Sequence, residues 1–238
     1  MFKMAIVEKF FDSKEALNAE LSASLEKSLV AGIEADGRAT LLVSGGSSPA
    51  PAYKHLSGLA LPWHDIDVAM VDERWVDATH EKSNEVFIKE TLLQGYAKEA
   101  NFITMKNSAL SAVQGTAQCE AEYQKLKQPF DVTILGMGPD GHTASLFPHA
   151  DGLAHGLTTK ELVCAINAMQ SEVTGDITER MTLSLNGILN SKVIKLLISG
   201  QEKLDVYMKA KEKADIDATP VSAVLHQDNV LVEVYWAP

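Results

Sequence analysis

The sequence predicts an α/β fold in three layers, a mainly parallel sheet covered by helices on both faces. Three observations carry this. First, ATLLV (39–43), IDVAMV (66–71), DVTILGMG from Asp131 and VIKLLI (193–198) are near-continuous apolar runs, the pattern of strands buried on both faces. Second, helical segments alternate with these runs, as parallel pairing requires. Third, four of the strand-like segments end in polar, Gly-rich or charged loops. These are Ser44–Ser48, Asp72–Arg74, Gly136–His142 and Ser199–Lys203. Ligands of open α/β sheets bind outside the carboxyl ends of the strands, so the four loops are expected to share one mouth.

The elements follow in order. Leu17, Leu21, Leu25, Leu29 and Ile33 recur every four residues, which predicts an amphipathic helix over 13–35 that Gly37 stops. ATLLV leads into SGGSSP, where Ser48 and Pro49 form an N-cap and first-turn pair that restarts a helix. IDVAMV runs directly into Asp72-Glu73-Arg74, read as a charged loop. Ser83 caps a helix to about Gln94, and another helix covers roughly 108–127. DVTILGMG runs into PDGHTAS, and LVCAINA (162–168) is a further strand candidate. After VIKLLI, Ser199-Gly200-Gln201-Glu202 reads as a capping box opening a helix through Lys211. Pro220 starts a short turn of helix, and NVLVEV (229–234) is the final strand. No repeat or long linker interrupts the pattern. One domain over 1–238 is expected, with 145–180 as a less regular excursion.

Composition narrows the function. With 46% apolar residues in 238 the chain can bury a substantial core, and disorder is not its dominant state. The formal charge of −11 repels phosphodiester backbones and anionic lipid, so neither nucleic acid nor membrane is an expected partner. No apolar run nears the roughly 18 residues of a spanning helix. The start, MFKMAIVEKFFDSKEA, lacks a signal-peptide core. Cys119 and Cys164 are far apart and form no C-x-x-C pair, so a reduced, cytoplasmic setting is expected. Cys164 lies in an apolar strand and reads as a small buried hydrophobe. Only Arg38, Arg74 and Arg180 are arginines. That scarcity singles them out, since Arg offers a planar fork for phosphate or carboxylate.

The loops carry the chemistry. In SGGSSP, Gly45 and Gly46 let the backbone approach a ligand, and Ser47 and Ser48 add hydroxyls at a helix start. Unpaired N–H groups and the helix dipole make this an anion cradle. No G-K-[ST] follows, so it is not a Walker loop, and no closing Gly makes it a nucleophile elbow. Lys203 sits in the first turn of a helix, where a bound anion would relieve its conflict with the dipole. Gly136 to Gly141 match G-x-G-x-x-G, yet the following strand LVCAINA ends in Asn167-Ala168 rather than an acidic residue. The dinucleotide match is accidental. Asp140-Gly141-His142 instead places a titratable imidazole just past a flexible turn. His142, His149 and His155 are spaced by seven and six, which fits no compact metal motif, so no metal site is expected.

SGGSSPAPAYKHL, VDERWVDATHEKSN and FDVTILGMGPDGHTASLFPH, in this order and spacing, resemble the 6-phosphogluconolactonase family. Weaker similarity continues through TERMTLSLNGIL and ISGQEKLDVY to TPVSAV, so the resemblance covers about 38–225. It implies the sugar-phosphate isomerase-like fold shared with glucosamine-6-phosphate deaminase and ribose-5-phosphate isomerase. It also implies hydrolysis of the δ-lactone of 6-phosphogluconate in the oxidative pentose phosphate pathway, with no cofactor and no metal. The implied partner is a small phosphorylated sugar lactone, and the expected state a monomer or weak homo-oligomer. The chain departs from the family in having Ser48 for Thr, Asp77 for Pro and Ile177-Thr178-Glu179 without a Pro before Arg180. Its LVEVYWAP end also lacks the usual Trp-x-x-Asp.

Lactone opening needs an activated water, a held oxyanion and a protonated leaving oxygen. His142 is the candidate general base and then acid, and Arg74 the candidate for the carbonyl oxygen. Arg180, Lys203 and Gly45–Ser48 would hold the 6-phosphate. Asp72 or Asp140 would orient Arg74 or His142. Two other readings stand beside this one. A deaminase loop of the type DGHIAFNEP uses a Glu for ring opening, where this chain has Phe147. A non-catalytic sugar-phosphate-binding module would keep the phosphate grip and need no base at position 142.

Overall fold

The computed structural model describes residues 6–238, so the first five residues of the amino-terminal segment lie outside the described residues. The first described element is β1 (Ile6–Phe10), which precedes α1 (Lys14–Asp36). Ser13 caps α1 by accepting the Ala16 N–H, and Gly37 closes it in the left-handed region at φ 74°. Then come β2 (Ala39–Val43), α2 (Ala50–Ser57), β3 (Ile66–Met70) and β4 (Asp72–Arg74). Next are α3 (Asn84–Thr91), β5 (Asn101–Ile103), α4 (Ala112–Tyr123) and β6 (Val132–Gly136). They are followed by α5 (Leu153–Thr158), β7 (Val163–Asn167), β8 (Glu179–Leu183) and α6 (Leu185–Leu189). The chain finishes through β9 (Val193–Ser199), α7 (Gln201–Glu212), α8 (Val221–Leu225) and β10 (Leu231–Ala237).

Seven strands form the central sheet in the order β1-β10-β9-β6-β2-β3-β5, and every neighbouring pair is parallel. β2 and β3 are buried at every position, as their unbroken apolar sequences require. Leu21, Leu25 and Leu29 of α1 are fully buried, and α1 packs on β2 and β10. At the amino-terminal ends of the strands, buried Asp131 accepts the Thr40 N–H at 2.7 Å and pairs with Lys127 and Lys192. Ion pairs tie the chain together at that end. The carboxyl end is open. Among the described residues no helix is long and apolar enough to cross a membrane.

Several local expectations are corrected. Asp72–Arg74 is the strand β4, not a loop, and it pairs antiparallel with β8. β8 also pairs with β7, so LVCAINA belongs to a separate three-stranded sheet, β4-β8-β7. The 145–180 stretch is therefore organised, since it carries α5, β7 and the start of β8. Ser48 is not the cap of α2, because Pro49 occupies that position and no side chain bonds there. The capping box at Ser199 does not form. Ser199 stays in the β9 ladder opposite Ala237, and Gly200 at φ 79° opens α7 without a side-chain bond. α3 ends at Thr91 rather than Gln94, and α4 covers 112–123 with Ser111 as its cap. The last strand starts two residues later and runs to Ala237.

Candidate active site

The strands β3, β2, β6 and β9 stand side by side in the sheet. The four segments singled out in the sequence leave their carboxyl ends and surround a cleft of about 350 Å³. Beyond β2 the chain moves outward to β3 and β5, and beyond β6 it moves the other way to β9 and β10. The cleft thus lies at the switch point of the sheet, where divergent loops leave a crevice.

His142 is built by its own loop. Its ring Nδ1 lies 2.5 Å from Asp140 Oδ1, and its backbone N–H donates to the same oxygen at 3.1 Å. An ionised carboxylate only accepts, so Nδ1 carries the proton and Nε2 keeps a free lone pair. Burial pushes the Asp140 carboxyl up, but the hydrogen bond and charge of His142 outweigh it and hold it below the usual range. A Cβ at Gly138 would overlap both the His142 ring and Asp140 Oδ1. That close approach, not a dinucleotide, explains the glycine. Gly141 turns at φ 78° against Thr219, and Ala144, on the cleft wall, is held at φ 48°, a strained setting for a residue with a Cβ. Phe147 packs on the imidazole with ring centroids 4.3 Å apart.

A second cluster is built on β4 and the start of α3. Asp72 Oδ2 accepts from Ser145 Oγ at 2.6 Å, and its Oδ1 accepts from Asn84 Nδ2 at 3.2 Å. Asn84 Oδ1 in turn accepts from Arg74 Nη1. Glu73 points the other way and is only 1% exposed. Its Oε1 accepts the N–H groups of Arg74 and Asn84, and its Oε2 accepts from Ser83 Oγ and the Glu85 N–H, each at 2.8 Å. Burial pushes the Glu73 carboxyl up against those four donors. The carboxylate caps the exposed donors of α3 and so fixes Asn84 at the cleft wall.

One end of the cleft comprises Gly45, Gly46, Ser47 and Ser48 from the loop after β2, with Lys203 from the first turn of α7. Burial pushes the Lys203 ammonium below the ordinary lysine range, opposed by Asp140 and Glu202. Ser44 Oγ, buried on the same wall, has no hydrogen-bond partner. Arg180 lies elsewhere. It sits opposite Arg74 in the β4–β8 register and is 3% exposed, and it is not part of the cleft lining. Its Nη2 donates to Thr174 O at 3.0 Å, its Cζ lies 5.7 Å from the Phe147 ring, and its Nε has no partner. Burial, then the charge of Arg74, lowers the guanidinium to about 10.

Of the residues the sequence singled out, Gly45, Gly46, Ser47, Ser48, Asp72, Arg74, His142 and Lys203 line one cleft. Asp140 stands behind His142, and Arg180 is buried beside Arg74. The sequence reading held Glu73 only as an alternative to Asp72 and Asp140. It gave Ser44, Asn84 and Ser145 no individual role, although each lies within a segment it singled out. Among the described residues no group of three or more His, Cys, Asp or Glu side chains is arranged around a metal position.

Comparison with known proteins agrees with this architecture. The family described as glucosamine-6-phosphate isomerases/6-phosphogluconolactonase matches residues 12–236. A 6-phosphogluconolactonase of Rhizobium meliloti (strain 1021) is 34% identical over 230 residues, 96% of this chain and 97% of the relative. The crystal structure of a 6-phosphogluconolactonase from Shewanella baltica OS155 superposes with a TM-score of 0.94 at 38% identity, over 100% of both chains. A monomeric glucosamine-6-phosphate deaminase, at 20% identity and a TM-score of 0.78 over 97% of each chain, shares the fold. With the family pattern matched from before α1 into β10 and the fold shared end to end, the chain belongs to the glucosamine-6-phosphate isomerase/6-phosphogluconolactonase family.

Proposed function

We propose that this protein hydrolyses 6-phospho-D-glucono-1,5-lactone to 6-phosphogluconate, the lactone-opening step of the oxidative pentose phosphate pathway. The observation that carries the reading is the Asp140–His142 pair, which leaves Nε2 a free base on a cleft that also holds Arg74 and Lys203. In the mechanism, His142 Nε2 takes a proton from water as the oxygen attacks the lactone carbonyl carbon. Arg74 binds the carbonyl oxygen as it becomes an oxyanion. Asp140 balances the imidazolium that forms. The tetrahedral intermediate then collapses, the bond to the ring oxygen breaks, and His142 returns the proton to that oxygen. Carbonyl polarisation is assigned to Arg74, so the proposed reaction uses no metal or cofactor.

The 6-phosphate is assigned to Lys203 and the Gly45–Ser48 loop, whose position orients C1 toward His142 and Arg74. Such orientation contributes several kcal/mol to catalysis on its own. Arg180 adds positive charge from behind the cleft. Its Nη2 is engaged by the Thr174 carbonyl and its Nε has no partner.

Phe147 favours the lactonase over the deaminase. The resemblance places a ring-opening Glu at this position in the deaminase loop, whereas here an apolar ring packs on His142. A proton shuttle at that point is missing. Assay of freshly prepared 6-phosphogluconolactone against glucosamine 6-phosphate tests the choice. Fast opening of the lactone with no ammonia released from the amino sugar supports it, and the reverse result rejects it.

A further inference from the structure

Asn84 bridges two groups of opposite charge that do not touch. Asp72 and Arg74 are two residues apart on β4, so their side chains share a face of the strand. No ion pair nevertheless forms between them within 4.0 Å, although both line the cleft. The Asn84 amide lies between them. Its Nδ2 donates to Asp72 O at 2.9 Å and to Asp72 Oδ1 at 3.2 Å, and its Oδ1 accepts from Arg74 Nη1. Arginine only donates and an ionised carboxylate only accepts, so the orientation of the amide follows from its two neighbours.

Three further contacts hold the amide in place. The Asn84 backbone N–H is fixed by Glu73 Oε1 at 2.8 Å, and the residue is 3% exposed. Gly45 packs against its side chain so closely that a Cβ there would overlap Asn84 Oδ1. Ser145 Oγ holds the second Asp72 oxygen. The charged groups around Asn84 are Asp72, Glu73 and Arg74 on β4. Glu85 beside it on α3 is paired with Lys89 at 2.5 Å, and Arg180 on β8 lies opposite Arg74.

We infer that Asn84 is a positioning residue that acts as a neutral spacer between Asp72 and Arg74. It holds the guanidinium by one nitrogen and prevents its collapse onto the carboxylate, leaving the remaining donors for the oxyanion of the lactone. The inference rests on the lactonase reading and names a residue that acts through Arg74. A carboxylate of the same shape could not do this. It would pair with Arg74 and repel Asp72, and of two carboxylates sharing one site the first to bind a proton does so at raised pH.

The test compares Asn84→Asp and Asn84→Ala with wild type on 6-phosphogluconolactone from pH 5 to 8, with spontaneous hydrolysis subtracted and folding followed by thermal unfolding. Both variants should lose about 10- to 100-fold in kcat at pH 7, the scale of one misplaced donor. KM should change less than about threefold, because one lost uniform contact would act on KM instead. The ratio of Asn84→Asp to wild-type rate should rise as pH falls and the carboxyl pair takes up a proton, while the Asn84→Ala ratio stays flat. Near wild-type kcat in Asn84→Asp, or parallel pH profiles for the two variants, would overturn the inference. So would failure of both variants to fold, which would make Asn84 a purely structural residue. An inactive wild type would instead reject the lactonase reading itself.

Discussion

His142 and Asp140 meet through a single oxygen: Asp140 Oδ1 accepts both the imidazole Nδ1–H and the His142 backbone N–H. Two bonds to one atom fix the ring plane as well as the tautomer. The two acids therefore have different partners. Asp140 belongs to His142, and Asp72 belongs to Ser145 and, through Asn84, to Arg74.

Asp140→Asn should therefore damage the reaction more than it damages the fold. An amide can present its NH2 to Nδ1, which would move the ring proton to Nε2 and remove the base. A fall in kcat of about two to four orders of magnitude is expected, as for other bases held by a carboxylate. Thermal unfolding should shift little, because Asp140 is partly exposed. Steady-state kinetics with the lactone checks this. A variant that keeps its kcat would remove Asp140 from the mechanism.

The proposed role of Lys203 gives phosphate binding a pH dependence. Burial lowers its ammonium, so the positive charge is lost as pH rises, and earlier than for a solvent-exposed lysine. Affinity for 6-phosphogluconate should weaken through the same alkaline range. Lys203→Arg, whose guanidinium stays protonated, should keep its affinity there. Lys203→Ala should bind the product weakly at every pH, by about 1.5–3 kcal/mol for a lost charged hydrogen bond. Calorimetric titration measures all three. Parallel pH dependence in the wild type and Lys203→Arg would place the titrating group elsewhere.

Glu73 links folding to the site. Glu73→Gln keeps the shape but replaces one acceptor oxygen with a donor, among three backbone N–H groups and the Ser83 hydroxyl. At least one buried donor is then unsatisfied, a cost of about 1–3 kcal/mol. The urea midpoint should fall accordingly, with the slope unchanged. Activity should fall too, because Arg74 and Asn84 lose their anchor. An unchanged midpoint would show that the carboxylate does not organise the start of α3.

The central strands of the sheet were legible because burial on both faces leaves an uninterrupted apolar run, as in ATLLV and IDVAMV. β1 was not, because IVEKF is half exposed at the sheet edge and its charges resemble those of a loop. β4 and β8 escaped for a related reason. Their sequences DER and ERMTL carry charges unusual in a strand, and pairing between them depends on segments about a hundred residues apart. Local residue types singled out His142, the Gly-Ser loop and Lys203, which the structure brings to one cleft. They did not reveal that Arg180 bonds to a loop carbonyl, or that Asn84 stands between Asp72 and Arg74. Those facts depend on where separate strands meet.

The most direct measurement is the turnover of His142→Ala on freshly prepared 6-phosphogluconolactone, with spontaneous hydrolysis subtracted and product affinity measured on the same protein. Loss of the base should lower kcat by about two to four orders of magnitude. Binding of 6-phosphogluconate should change little, since Lys203 and the Gly45–Ser48 loop remain in place. A folded variant with near wild-type kcat would contradict the mechanism and reduce His142 to a turn residue beside Asp140.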